Sequence, residues 1–152
     1  MRARVAARWI ATLCAAHVFA GHVFAAEFRA VTEEAAVLYD APSAQSKKLF
    51  VVNQGYPLEV IVVVEGWIKV RDANGGLSWV DAKQVSAKLR TVMVKTPLAQ
   101  VRQAADDNAS MVFQAQQNVV MELSEVVPGG WLRVRHRDGV SGFVRVTQVW
   151  GV

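Results

Sequence analysis

The chain carries few residues that could do covalent chemistry. His136 is the only histidine beyond residue 22, and it lies between Arg135 and Arg137. Positive neighbours oppose protonation of an imidazole, whereas a Ser-His-Asp triad needs a histidine oriented by a carboxylate. Cys14 is the only cysteine. The sequence therefore predicts no catalytic residue, no metal site and no cofactor, and His136 is interpreted as an ordinary strand residue.

The acidic residues do not supply a catalytic pair either. Glu33 with Glu34, and Asp106 with Asp107, are adjacent in predicted loops, where neighbouring side chains diverge. A glycosidase needs two carboxyl groups that face each other across about 5 to 9.5 Å. The glycines are spaced for turns, and no phosphate-binding loop with a following Lys-Ser or Lys-Thr occurs. We expect a protein that is not an enzyme, with chemistry outside the known motifs as the remaining alternative.

Aromatic residues are better candidates for a binding function. Tyr39 and Tyr56 lie in or beside predicted loops, and Trp67 and Trp79 flank a predicted hairpin. Flat rings on one side of a small barrel can receive the face of a peptide or a sugar. Trp67 and its counterpart Trp131 are predicted to be core residues, because a barrel of this size needs large buried side chains. Tyr39 and Trp79 fit either role, and with Tyr56 they are our candidate ligand-binding residues.

A group of arginines is the second candidate for binding. Arg133, Arg135 and Arg137 alternate along one predicted strand, so they are predicted to point to one face, with Arg145 on the return strand. Residues 88–152 hold eight basic and five acidic groups. This face is interpreted either as a site for anionic groups, such as peptidoglycan carboxylates, membrane headgroups or an acidic protein, or as a solvated surface.

An internal repeat positions both sets of candidates. GWIKVRDANGGLSWV starts at residue 66, and GWLRVRHRDGVSGFV starts at residue 130. Residues 66–85 and 130–149 align without a gap, with eight identities in twenty. Upstream, FRAV at 28–31 is matched to LRTV at 89–92, and PLEV at position 57 is matched to VMEL at position 120. The repeat is therefore about sixty residues long, the size of one small domain.

Each copy has the signals of short strands joined by tight turns. WIKVRD alternates apolar Ile68 and Val70 with basic Lys69 and Arg71, a pattern that buries one face and leaves the other in water. ANGG and RDGV contain the Asn-Gly and Asp-Gly pairs typical of hairpin turns. No window of a dozen residues beyond the N-terminal segment shows a convincing helical stripe. About six short strands per copy predict an all-β protein made of two small barrels.

The order of these motifs resembles the bacterial SH3 (SH3b, SH3-like) family, over about residues 28–152 and in two tandem copies. The matching residues of the first copy are Gly55, Leu58, Val60, Gly66, Trp67, Val70, Gly75, Trp79 and Val80. Those of the second copy are Gly130, Trp131, Val134, Asp138, Gly139, Gly142, Phe143 and Val144. Leu38 stands where the family often has arginine, and VRQAADDNAS in the second copy lacks both proline and aromatic residues. The resemblance implies SH3-like domains at 26–87 and 88–152, with a ligand groove in the first.

The N-terminus has the layout of a secretory signal peptide, predicted to cover residues 1–25. Three arginines precede an uncharged stretch, WIATLCAAHVFAGHVFAA. Cleavage is predicted after Ala25 or, alternatively, after Ala20. The competing interpretation is an uncleaved inner-membrane anchor, against which His17 and His22 argue because histidine is costly in lipid.

Cleavage after Ala25 would leave 14 basic and 13 acidic residues, a net charge of +1, and no cysteine. So small a charge does not indicate a nucleic-acid partner. We expect an exported, non-enzymatic protein of the periplasm or the extracellular medium that binds peptidoglycan or an envelope protein. It would contact the membrane only transiently, through the signal segment. The alternative is a scaffold protein whose barrels associate with proteins or dimerise without using a ligand groove.

Overall fold

The computed structural model describes residues 25–152 and shows two antiparallel sheets of seven strands each. The helical elements within these residues are two 3-10 turns, Ala82–Gln84 and Val146–Gln148. The predicted all-β class, with two tandem SH3-like barrels, is confirmed. The predicted signal peptide lies outside the described residues, apart from Ala25. Among residues 25–152 there is no helix of the length and apolar character needed to cross a membrane.

We call the first sheet the first module. Its strands are β1 (Phe28–Val31), β2 (Ala35–Tyr39), β3 (Lys48–Asn53), β4 (Pro57–Val64), β5 (Trp67–Arg71), β6 (Leu77–Asp81) and β7 (Val85–Ser86). Their order across the sheet is β3-β2-β6-β5-β4-β1-β7. Strand β4 has a bulge between Val60 and Val62. A bulge bends a strand. The first residues of β4 pair with β1, and β4 pairs with β5 from Glu59 to its last residue, Val64.

We call the second sheet the second module. Its strands are β8 (Thr91–Val94), β9 (Leu98–Arg102), β10 (Met111–Gln116), β11 (Val120–Val127), β12 (Trp131–Arg135), β13 (Ser141–Arg145) and β14 (Val149–Trp150). The order β10-β9-β13-β12-β11-β8-β14 repeats that of the first module strand for strand. The bulge recurs as well, between Leu123 and Glu125 of β11. The two copies of the sequence repeat therefore share the same strand order and the same bulge.

Small aliphatic side chains fill the two cores. The core of the first module consists of Val31, Ala36, Leu38, Val52, Leu58, Ile68, Val70, Val80 and Val85. The core of the second consists of Val92, Val94, Ala99, Val101, Ala115, Met121, Leu123, Leu132, Val134, Val144 and Val149. As predicted, Ile68 and Val70 are buried while Lys69 and Arg71 are not. The alternation along β5 thus assigns one face of the strand to the core.

The prediction that both repeat tryptophans are core residues is half wrong. Trp131 is buried, but Trp67 is only half-buried. Both rings begin their strands on the outer face, since Trp67 alternates with the buried Ile68, and Trp131 is two residues from the exposed Arg133. Valine, leucine, isoleucine and alanine make up most of both barrel interiors, and the two tryptophans lie on the outside of the sheet.

One extra residue in a turn shifts the alignment of the two copies. Val64 pairs with Trp67 across a two-residue turn, whereas Val127 pairs with Trp131 across three residues. Gly66 and Gly130 both have positive φ, 76° and 79°, as a tight turn before a strand requires. Upstream of the turn, equivalent residues of the two modules are therefore 63 positions apart in the chain, whereas downstream of it they are 64 positions apart.

This shift corrects one predicted match. FRAV forms β1, which pairs with Glu59, and the equivalent pairing with Glu122 is made by TVMV at 91–94. LRTV at 89–92 is therefore displaced by two residues, because Leu89 and Arg90 precede β8. The match of PLEV to VMEL agrees with the strand pairing, since Glu59 and Glu122 occupy the same place in β4 and β11.

Hydrogen bonds and a ring contact join the modules. The Thr91 hydroxyl donates to the Gly55 carbonyl at 2.6 Å in a buried position. The indole N–H of Trp150 donates to the Pro57 carbonyl at 3.3 Å. The same indole packs edge-on against Phe28, with ring centroids 5.2 Å apart. The last strand of the second module thus reaches back to the first module.

Candidate ligand-binding surface

A row of four side chains crosses the outer face of the first module. In the strand register, Val62 pairs with Lys69, Lys69 pairs with Trp79, and Trp79 pairs with Tyr39. Residues directly opposite each other in neighbouring strands point to the same side of a sheet. We call Val62, Lys69, Trp79 and Tyr39 the aromatic row. Two of the predicted ligand-binding residues, Tyr39 and Trp79, are thereby brought together.

Trp67 extends this surface. Its ring packs edge-on against Tyr39, with centroids 5.4 Å apart and planes at 89°. The Lys69 ammonium lies 5.9 Å from the centre of the Trp79 ring, at the outer limit of a cation-π contact. Three half-buried aromatic rings and one cation thus occupy one outer face. Trp67 was not among the predicted site residues, although its spacing from Lys69 in the sequence places the two residues on the same face of a strand.

Aliphatic side chains border the aromatic row. Val62 and Val64, in the distal part of β4, are 44% and 40% exposed. Val64 pairs with Trp67, so it lies beside that ring on the outer face. This apolar border widens the surface that could lose water on contact with a ligand.

Tyr56 lies apart from the other candidate residues. It precedes β4 and packs against the core of the first module. Burial raises the pKa of its phenol, a hydrogen bond with the Ala73 backbone opposes this, and the charge of Asp72 adds to the rise. Asp72 and Ala73 belong to the turn at the far end of β5 from Trp67. The structure therefore does not bring Tyr56 together with Tyr39 and Trp79.

The equivalent row of the second module is charged. Glu125 pairs with Arg133, Arg133 pairs with Phe143, and Phe143 pairs with Arg102. We call these four residues the charged row. Arg102 is held by hydrogen bonds to the Ala109 carbonyl at 2.7 Å and to the side chain of Gln100 at 2.6 Å.

Arg145 covers the tryptophan of the second module. Its guanidinium carbon lies 4.1 Å from the centre of the Trp131 ring. It also donates to the Gly129 carbonyl at 2.9 Å and to both carboxylate oxygens of Asp107. These hydrogen bonds hold the pKa of Asp107 below its ordinary value. Trp131 is only 4% exposed as a result, so this ring is closed to a ligand.

The predicted line of three arginines is only partly present. Arg133 and Arg135 are exposed on the same face of β12, but the strand ends at Arg135 and Arg137 lies in the following turn. The prediction that all three alternate along one strand is therefore wrong for Arg137. Glu125 and Glu122 are the cross-strand neighbours of Arg133 and Arg135. These carboxylates offset part of the positive charge of the strand.

His136 also differs from the expectation. It is a turn residue rather than the strand residue that was predicted, and its Nδ1 lies 3.0 Å from the carboxylate of Asp138. Asp138 accepts a hydrogen bond from the Val140 N–H at 2.9 Å, and this bond, with that to His136, lowers the pKa of Asp138. The pair closes the turn, as Asp72 does in the first module. In the part of the chain that the structure describes, no three His, Cys, Asp or Glu residues are placed to hold a metal.

Comparison with protein families gives a match over most of the chain. The family model described as bacterial SH3 domain matches residues 32–87 and, separately, residues 95–151. Each match falls on one seven-stranded module. Among curated proteins, no sequence match was found.

Solved structures give distant similarities. NlpC2 and NlpC1 from Trichomonas vaginalis are each 11% identical to this chain, with a TM-score of 0.39. An NlpC/P60 family protein from Bacillus cereus is 15% identical, with a TM-score of 0.38. The similarities cover 83%, 86% and 81% of this chain and 48%, 47% and 55% of those proteins. The chain thus spans about half the length of each.

Proposed function

Because the chain belongs to the bacterial SH3 domain family, we propose that it is an exported, non-enzymatic protein that binds peptidoglycan or an envelope protein through its first module. Bacterial SH3 domains are binding modules, often linked to the cell wall, and are generally not catalytic. The arginine-led, uncharged N-terminal segment supports the export part of the proposal. The protein would then act in the periplasm or outside the cell.

The aromatic row is the observation that carries the proposal. Tyr39 and Trp79 are neighbours in the register, Trp67 packs against Tyr39, and all three are half-buried. Half-buried rings on an open sheet face can contact the flat side of a sugar or a peptide without reorganising the core. Lys69 and the hydroxyl of Tyr39 can add polar contacts that orient the ligand. The charged row lacks these features, so binding is assigned to the first module.

Cosedimentation with purified peptidoglycan tests this proposal. We expect the protein to be retained, and Trp79→Ala to weaken retention by about tenfold, the effect of removing one well-packed aromatic contact of ~1.4 kcal/mol. Phe143→Ala, at the same register position of the second module, is the matched control and should leave retention unchanged. Retention by rings should also persist when salt is raised, because screening acts on exposed charges.

Equal losses in the two variants would contradict the assignment to the first module. If all retention is lost at raised salt, the ring contacts are not the main source of binding. The exposed arginines, Arg133, Arg135 and Arg137, would then be the main binding groups. Failure of the parent protein to sediment with peptidoglycan would leave an envelope protein as the partner, to be tested by crosslinking in intact cells at position 79. If peptidoglycan and crosslinking both fail, the binding function is wrong.

An edge strand favours the scaffold alternative. β3 lies at the edge of the first sheet, and its Phe50 and Val51 are 58% and 66% exposed. An exposed apolar edge can pair with the same edge of a second copy. Sedimentation velocity would then show a dimer that Val51→Lys dissociates. A monomer at all accessible concentrations would remove this support.

A further inference from the structure

A cleft lies between the two modules, away from the aromatic row. It measures about 880 Å³. The wall from the first module includes Glu34, Asn53 and Gln54, and the wall from the second includes Arg135, His136 and Arg137. Nothing in the proposed function uses this cleft, and its volume is within the range of ligand-binding sites.

The floor of the cleft is fixed by the contact between the modules. Gly55 and Thr91 line it, and the Thr91 hydroxyl holds the Gly55 carbonyl through the buried hydrogen bond of 2.6 Å. A Cβ atom at Gly55 would lie 3.1 Å from a methyl group of Val120, another floor residue. Because the modules approach so closely here, the walls are held in place before any ligand arrives. A site formed in advance saves the ordering cost of binding.

Charges of opposite sign face the cleft from its two walls. Glu34 contributes a carboxylate from the first module, and Arg135 and Arg137 contribute guanidinium groups from the second. Within residues 25–152, none of these three side chains has an oppositely charged group within 4.0 Å. Glu122 also lines the cleft from the second module, and as the cross-strand neighbour of Arg135 it offsets part of the charge of that arginine. Arg137 is therefore the stronger anion-binding group of the two.

Amide side chains also belong to the lining of the cleft. Asn53, Gln54 and Asn118 line the cleft. A side-chain amide can both donate to a peptide carbonyl and accept from a peptide N–H. The cleft thus offers an acceptor for a cation, partners for peptide groups and donors for a carboxylate.

We propose that this cleft binds a short linear peptide with free ends, its ammonium group directed toward Glu34 and its carboxylate toward Arg137 and Arg135. A peptide of about four residues extends over roughly 13 Å, at 3.3 Å per residue, and suits a site of this size. This binding goes beyond the proposed function, since it uses other residues and requires two free termini rather than a sugar or protein surface.

Titration with tetraalanine, followed by backbone NMR, tests the proposal. We expect saturable shifts at Gly55, Thr91 and Asn118, with Arg137→Gln and Glu34→Gln each weakening binding by about tenfold. Arg133→Gln, on the exposed face of β12 and outside the cleft, is the matched charge control and should leave the affinity unchanged. N-acetyl-tetraalanine amide, which has neither charge, should bind at least tenfold more weakly.

The proposal is overturned if the blocked peptide binds as tightly as tetraalanine, if Arg133→Gln weakens binding as much as Arg137→Gln, or if no shift occurs in the cleft. Trp79→Ala separates this site from the aromatic row, because it should leave tetraalanine binding intact. Shifts confined to residues around Trp79 would likewise overturn the cleft assignment. The result of the tetraalanine titration does not depend on whether the protein is retained on peptidoglycan.

Discussion

In the first module, the row across the outer face is aromatic and aliphatic apart from one lysine, whereas the equivalent row of the second module is charged apart from one phenylalanine. The strands, their order and their bulges are the same. The inner faces are aliphatic in both modules, since each must fill a barrel of the same size. The outer face carries no such constraint, so one scaffold presents rings in one copy and ions in the other.

A single position explains much of the difference around the two tryptophans. The register partner of Trp67 is Asp81, and the register partner of Trp131 is Arg145. The short Asp81 side chain accepts from the Lys83 N–H at 2.9 Å, at the start of a 3-10 turn, and leaves the indole free. The long Arg145 side chain lies over its indole instead. The Trp67 ring is thus free to contact Tyr39 and a ligand, whereas the Trp131 ring is buried within the second module.

The largest expected difference between the modules is in the cost of removing these tryptophans. Trp131→Ala should lower the free energy of unfolding of the second module by about 3 to 5 kcal/mol, since the ring is almost fully buried. Trp67→Ala should cost clearly less in the first module, because its ring is only half-buried. Urea denaturation followed by module-specific NMR signals measures both. Equal losses would mean that Trp67 is a core residue, as its place in the repeat predicts.

The next largest effect is expected at Gly142, a buried residue of β13. Gly142 packs so closely against β9 that a Cβ atom would lie 2.5 Å from a methyl group of Val101 and 2.8 Å from the Arg102 carbonyl oxygen. Gly142→Ala should therefore destabilise the second module by roughly 1 to 3 kcal/mol through overpacking. The first module has Ser78 at this position, so the matched control Ser78→Ala should be tolerated. Thermal denaturation of the two variants checks the difference, and a Gly142→Ala protein that melts like the parent would contradict it.

The features that could be predicted from the sequence are those encoded locally. Alternation in WIKVRD gave the buried face of β5, and the Asn-Gly and Asp-Gly pairs gave the turns with Gly75 and Gly139 at positive φ. Both depend on residues within a few positions of each other. The pairing of His136 with Asp138, two residues away in such a turn, was within reach of the same reasoning.

The features that escaped prediction depend on distant pairs. Arg145 and Asp107 are 38 positions apart, and Trp150 donates to Pro57 across 93 positions. Spacing within a strand cannot reveal which loop approaches it from another part of the sheet. The same limit applies to Tyr56, since its loop position did not show that its ring turns toward the core. The sequence therefore placed Tyr39 and Trp79 near each other correctly, grouped Tyr56 with them wrongly, and left out Trp67.

The smallest expected effect concerns acid, and it acts on the ionic closure of the second module. Asp107 is held in its charged form by Arg145, so its pKa in the folded protein is below its ordinary value of 3.8. A carboxyl group with a lowered folded pKa contributes stability that is fully present above its ordinary pKa and is lost as pH falls through the lowered value.

Ala44 occupies the equivalent loop position of the first module and cannot titrate. We expect Asp107→Asn to reduce the loss of stability of the second module as pH falls below the ordinary pKa of 3.8, and Ala44→Asn to leave the pH dependence of the first module unchanged. Thermal melting temperatures across this range measure the effect, which is modest because Asp107 is exposed to solvent and screened. An Asp107→Asn protein with the same acid dependence as the parent would show that Arg145 is held over Trp131 by the ring and the Gly129 carbonyl alone.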